Sequence, residues 1–314
     1  MGQCCSSDVK DLNEMTTAVI DVNLPSMTFA VDFDVDEVIR FREFSLKITR
    51  RYGEFFKDDI DVSECTEISD GKKLLHDNSL YIGNWKDGKM SGYGQILYSN
   101  DDFYSGSFLD GMKNGRGRLI SKSPENHSAH IEYIGEFKDD LKHGKGKIIY
   151  EASHYYKGDW EEDHPHGIGE EYWRDKESGK SFKYSGSFFK GAKEGHGRID
   201  NIDDGAYYEG NLKENAKFGH GIFDWGDGRI YEGQWRDNEM DGDGEFIYPN
   251  GSIYKGEFVK GKKEGMGEYK WADKINSYIG NWKNGARNGY GVLYKHKVGE
   301  LFGEWKEDKF IKAK

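Results

Sequence analysis

Apolar and polar positions in this chain follow one phrase that recurs nine times without a slip. A Tyr is followed two residues later by Gly and two further on by an apolar residue, usually aromatic. Seven residues after that comes Gly-x-Gly. The first copy reads Tyr81, Gly83, Trp85, Gly92, Gly94, and the second Tyr104, Gly106, Phe108, Gly115, Gly117. Further copies open at Tyr133, Tyr156, Tyr184, Tyr208, Tyr231, Tyr254 and Tyr278, and a truncated tenth runs through Leu301, Gly303 and Trp305. The Tyr and the first Gly of the doublet are 11 residues apart in all nine. Length varies only between the doublet and the next Tyr, most at 121–132 and 174–183. A repeat of roughly 23 residues, strict in one part and free in another, marks a stacked architecture with exposed connections.

Within the phrase the period is two, the period of a strand. Tyr81, Gly83 and Trp85 share one face, and Gly92 and Gly94 are expected to share a face of the next strand. Glycine is unfavourable in strands, so its recurrence needs a reason. Large rings beside missing side chains supply one, because each ring can lie over a glycine where a Cβ would push it off. The opposite positions are mostly polar, as at Asn84, Ser105, Ser107, Lys157 and Asp159, which fits a sheet with one wet face. Turn dipeptides such as Asp227-Gly228 and Asn250-Gly251 separate the strands. Each unit is therefore a β-hairpin that cannot bury its face alone and must stack on its neighbours. Nine hairpins predict about 18 strands and a ribbon on the order of 85–90 Å long at the usual strand spacing.

These residues resemble the MORN (membrane occupation and recognition nexus) repeat. Tyr231-x-Gly233-x-Trp235, Gly242-x-Gly244 and Tyr248-Pro249-Asn250-Gly251 lie close to that consensus, and the likeness spans residues 81–310. The expected fold is mainly β: an elongated single-layer antiparallel hairpin array of MORN type, preceded by a small mixed α/β N-terminal segment. Leu212 stands where the sixth ring belongs, which predicts a weaker or bent array there, and the tenth copy reads as a terminal cap. The resemblance leaves function open. The module occurs in junctional membrane proteins, lipid kinases, radial-spoke heads and protist cortical scaffolds, and where enzymes carry it their activity resides in attached domains.

Charge and the first residues narrow the choice. The chain carries a net charge of −12 over 314 residues, and residues 1–80 hold 17 acidic and 9 basic residues, hence −8 of it. Such a chain is not built to coat nucleic acid. Three cysteines give no disulfide framework, which fits an intracellular setting. No apolar run approaches the length of a membrane-spanning helix, and residues 1–15 lack the apolar core of a secretory signal. The chain opens Met1-Gly2-Gln3-Cys4-Cys5-Ser6-Ser7, which fits the N-myristoylation pattern at Gly2. One myristoyl chain binds membranes only marginally and needs a second signal. Asp8 and Asp11 exclude a basic cluster, so palmitoylation of Cys4 or Cys5 is the remaining source. Residues 1–7 are accordingly read as an acylation motif, 8–80 as a capping or partner-binding segment, 81–310 as the array and 311–314 as a tail. Within 8–80, Phe29, Val31 and Phe33 alternate as in a strand, and Val38, Phe41, Phe44, Ile48 and Tyr52 have helical spacing over about 36–51. That segment either covers the open edge of the first hairpin or binds a partner.

Candidate chemistry is sparse. His164-Pro165-His166 lies in a turn without a second ligand group at metal-like spacing. Asp237, Glu239 and Asp241 imitate half of an EF-hand loop, but its twelfth position is Tyr248. Gly179-Lys180-Ser181 lacks the Gly that a P-loop requires at 174. No catalytic residue, metal site or cofactor is expected. One recurrent charge remains. Lys113, Lys142, Lys193, Lys217, Lys263 and Arg287 each fall five residues past the apolar position, and are expected along one edge of the array as a solvated turn edge or a stripe for anionic lipids or an acidic protein groove.

The leading expectation is a non-enzymatic scaffold on the cytoplasmic face of a membrane, held by its acyl chains and joining that membrane to cytoskeletal or other protein partners, self-association included. Cell cortex and cilium are the settings the resemblance suggests. The alternatives are a structural part of a ciliary or axonemal assembly and a phosphoinositide-sensing regulator.

Overall fold

A computed structural model of the chain describes residues 72–75, 77, 79–123, 129–151 and 153–313. Gly2, Cys4 and Cys5, the lone Cys65, and the strand and helix expected over 28–33 and 36–51 lie outside the described residues.

Each repeat is a two-stranded hairpin. The first strand carries the Tyr and the return strand carries the Gly doublet: Leu80–Lys86 and Lys89–Leu97 in the first repeat, Ile230–Arg236 and Glu239–Ile247 in the seventh. The hairpins close on two-residue turns in which both residues take positive φ, as at Asp87 (49°) and Gly88 (77°), or Asp139 (50°) and Asp140 (70°). Such turns match the right-handed twist of paired strands, and Asp, Asn and Gly adopt them most readily.

The described strands form one antiparallel sheet of 21 strands. Every strand pairs with the one before it and the one after it, so the whole is a single up-and-down meander. Nine hairpins account for 18 of these strands. The others are Lys72–Leu74, which pairs along the outer edge of the first repeat, and the hairpin Gly299–Lys306 with Lys309–Ala313, which the truncated tenth copy forms.

One expectation is corrected. Gly92 and Gly94 do not serve the same face or the same need. Cross-strand register runs Gly83↔Gly94 and then Trp85↔Met90, so the return strand bulges around Gly92. The first glycine of every doublet takes a positive φ there, from 60° at Gly167 to 108° at Gly242. A Cβ at Gly242 would lie 2.9 Å from the Gln234 side chain, across the sheet from the rings. Bulges of this kind need a residue that tolerates the left-handed region. Only the second glycine accommodates the ring.

Candidate functional site

The core is a row of nine tyrosines, each at most 2% exposed. Each lies flat over a pair of facing glycines. A Cβ at Gly233 would stand 2.5 Å from the Tyr231 hydroxyl, and one at Gly169 would stand 2.5 Å from Tyr156. No side chain fits between ring and backbone, which is why both positions are glycine. Each phenol also donates to the carbonyl three residues on, inside the bulge: Tyr104 to Ser107 at 2.9 Å, Tyr156 to Asp159 at 2.7 Å, Tyr231 to Gln234 at 2.9 Å. Bulge, glycines and tyrosine therefore specify one another. Burial pushes the phenols up, to about 12 at Tyr184 and Tyr278.

Between successive tyrosines stands the apolar residue of the phrase. Tyr81 meets Trp85 at 5.1 Å and Phe108 at 5.3 Å, both edge-on, and the herringbone continues repeat by repeat. Edge-to-face pairs of this spacing contribute beyond their area. The ladder misses one rung at Leu212, which is nonetheless 3% exposed and packed in the same core. Indole N–H groups stitch one repeat to the last: Trp160 donates to the Gly146 carbonyl, Trp235 to Gly221 and Trp282 to Gly267, each at 3.1 Å.

The six cations do not form a solvated turn edge. Each stands directly across the hairpin from the apolar residue, as in Phe108↔Lys113, Leu212↔Lys217 and Trp282↔Arg287, and so lies on the ring face. Lys142 is 5.7 Å from the Tyr133 and Trp160 ring centres, Lys193 4.5 Å from Trp173, and Lys263 4.2 Å from Trp282. Arg287 stacks 4.4 Å from Trp305. A cation over an aromatic face is attracted by the ring quadrupole, more so when partly desolvated. The same position holds Met90, Pro165 and Met240 in other repeats. The feature was readable as a recurrent charge, but its placement depends on the bulge, which shifts the return strand by the residues that decide what faces the ring.

Four of the six have counter-charges. Lys113, Lys142 and Arg287 pair with turn carboxylates of the following repeat, Asp140 at 3.6 Å, Asp163 at 3.1 Å and Asp308 at 3.0 Å. Lys193 pairs with Glu171, which also meets His154 at 3.0 Å. Burial raises the Glu171 carboxyl, but His154 and Lys193 together hold it below its ordinary value. Burial pushes the Lys217 ammonium down, and pushes Lys263 down against the pull of Asp308.

The opposite face is wetter and has its own order. Facing glycines continue across the sheet in one row, Gly106↔Gly117↔Gly135↔Gly146↔Gly158↔Gly169↔Gly186, and onward. Their missing Cβ atoms face the rings, and on the opposite face the backbone of that row floors an open groove of about 630 Å³, flanked by Lys145, Lys147, Lys157, Glu170 and the exposed Ile134 and Ile168. Sequence reasoning missed this groove. His166 faces Glu161 at 3.2 Å, and among the described residues no His, Cys, Asp and Glu group could hold a metal ion.

The chain is similar to the TCP domain of SAS-4 (dCPAP) of Drosophila melanogaster, solved in complex with a proline-rich motif of Ana2 (dSTIL). Identity is 16% and the TM-score 0.31, over 52% of this chain and 85% of that one. No match is found among curated proteins. The MORN repeat family matches nine times, at residues 81–103, 104–123, 133–152, 156–178, 184–200, 208–228, 231–253, 254–274 and 278–296. Each match opens on a tyrosine of the buried row and covers that tyrosine's hairpin, so the chain belongs to the MORN repeat family.

Proposed function

We propose that this protein is a non-enzymatic scaffold, anchored on the cytoplasmic face of a membrane through its N-terminus and joining that membrane to cytoskeletal or other protein partners. A repeat-based binding or scaffolding role follows from the family. The membrane link is supported by one observation, the Met1-Gly2-Gln3-Cys4-Cys5-Ser6 opening, which supplies both acylation signals that stable attachment needs. Repeated surface suits a scaffold, because linked weak contacts multiply. The side chains of the aromatic face support binding rather than reaction, since their polar groups are committed to ring contacts, turn carbonyls and ion pairs.

The test is fractionation of the full chain expressed in acylating cells. Wild type is expected in the membrane pellet, Gly2→Ala in the supernatant, and Cys4→Ser/Cys5→Ser largely in the supernatant. A Gly2→Ala protein that sediments like wild type in detergent-resistant cytoskeleton would replace this reading with a ciliary or axonemal structural role.

A further inference from the structure

Two cations on the ring face have no carboxylate within ion-pair distance among the described residues. At the turn position that supplies Asp140, Asp163 and Asp308 to their neighbours, Lys217 finds Asn238 and Lys263 finds Gly285. Neither ammonium makes an ion pair among the described residues, and both are half-buried. Leaving a desolvated charge unpaired is costly, and ring faces offset only part of that.

The two repeats that carry these lysines, six and eight, and repeat seven between them differ from the others in a second, independent way. Fifteen and seventeen residues past the tyrosine, repeats six to eight carry aromatics at both positions: Phe223 and Trp225, Phe246 and Tyr248, Tyr269 and Trp271. Repeats two and five have Leu119 with Ser121, and Ile199 with Asn201. The six rings are half-buried and touch in sequence, from Phe223–Trp225 at 4.5 Å through Trp225–Phe246 at 5.6 Å and Phe246–Tyr248 at 4.7 Å to Tyr248–Tyr269 at 5.7 Å. Lys217 lies 4.6 Å from the Phe223 ring centre at one end, and Lys263 5.1 Å from Tyr269 at the other. A cavity of about 220 Å³ opens beside Lys263, walled by Tyr248, Tyr269, Trp271 and Trp282 and closed on one side by the Arg287–Asp308 ion pair.

We propose that this trough docks an acidic peptide segment of a partner protein, one carboxylate on Lys217, a second on Lys263, and apolar side chains between them on the rings. Four strand steps separate the lysines, about 19 Å at the usual spacing. Single cations so far apart suit isolated carboxylates, whereas a polyphosphorylated headgroup needs clustered cations. The apolar length between them gives a peptide more to bury than a headgroup offers. This deepens the scaffold reading and rests on it, but its test uses purified chain without acyl groups, so a failure of membrane attachment leaves this test unaffected.

The probe is a random 16-residue peptide library panned on the full chain. Retained peptides are expected to carry Asp or Glu on both sides of an apolar stretch. Lys217→Met/Lys263→Met should weaken them by about tenfold or more, the loss of two charge-assisted contacts. Methionine already fills that position at Met90 and Met240, so the variant keeps a side chain the repeat accepts. Replacing the peptide's acids with Gln should reproduce the loss on wild-type chain, which needs no variant to fold. Retained peptides without acid preference, equal binding to the variant, or no retained peptide would overturn the proposal. So would a lysine-dependent preference for phosphatidylserine vesicles over peptides, or a lysine-dependent dimer in light scattering, which would name a lipid surface or a second copy as the occupant.

Discussion

Tyr231 shows how much of this fold rests on one side chain. It covers two glycines, meets Trp235 and Phe258 edge-on at 5.2 and 5.1 Å, and donates its hydroxyl to the Gln234 carbonyl. The contributions separate by substitution. Gly244→Ala forces a Cβ into the ring and should cost about 3 kcal/mol. Gly242→Ala leaves the ring alone and costs the left-handed backbone, about 1–2 kcal/mol. Tyr231→Phe loses one buried hydrogen bond, about 1 kcal/mol. Urea midpoints of the three variants check the order, and a neutral Gly244→Ala would remove the ring-over-glycine account. Lys217→Met carries the opposite sign. The Lys217 pKa is lowered by burial, so its charged form is the disfavoured one, and the native state loses stability as pH falls below the unfolded value. The variant should melt no lower than wild type at neutral pH, and a clear drop in its melting temperature would show that the ring contacts outweigh burial.

At the scale of the hairpin, local chemistry and register agree. Asp, Asn or Gly fills the second position of every hairpin turn, where positive φ is needed, while the first also takes Glu162, Lys190, Glu214 and Lys260; the doublet glycine occupies the bulge that needs positive φ again. This level was largely legible in the sequence, because an invariant spacing of 11 residues can only come from strict backbone geometry. Ring over glycine was legible for the same reason. The cations were not placed correctly. Counting from the apolar position puts Lys113 near a turn, and only the pairing Phe108↔Lys113 turns it onto the ring face. The groove on the opposite face was missed because its floor and rims come from many strands side by side, a property of register between repeats rather than of any single one. Within the hairpin, Asp163→Asn should weaken the junction of repeats three and four, since Lys142 then keeps its backbone bond but loses its carboxylate. The expected cost is about 0.5–1 kcal/mol, given the half-exposed carboxylate. Salt should narrow the gap between the two proteins in thermal melts.

Across the whole sheet, contacts run only between neighbours in sequence, so stability sums over repeats and their junctions. Alkaline pH should test that sum. The phenols of Tyr184 and Tyr278 are pushed up to about 12, above their ordinary 10.0. A raised folded value holds protons more tightly than the unfolded chain does. The stability this supplies is complete below about pH 10 and drains away as pH climbs through 12. Because the phenols are stacked in one row, phenolate absorbance at 295 nm should rise together with loss of the β-sheet circular dichroism signal. A smooth titration with the sheet intact would contradict the burial.

The meander has a mechanical consequence. A pull on the two ends of the array acts across the strands, so it opens one ladder at a time from the outermost hairpin inward, like a zip. No ladder shares that tension with another. An array built this way is expected to yield at low force and lengthen in steps of one repeat, each releasing roughly 75–80 Å of extended chain. Force spectroscopy of the full chain should show these steps as a regular series of small extensions.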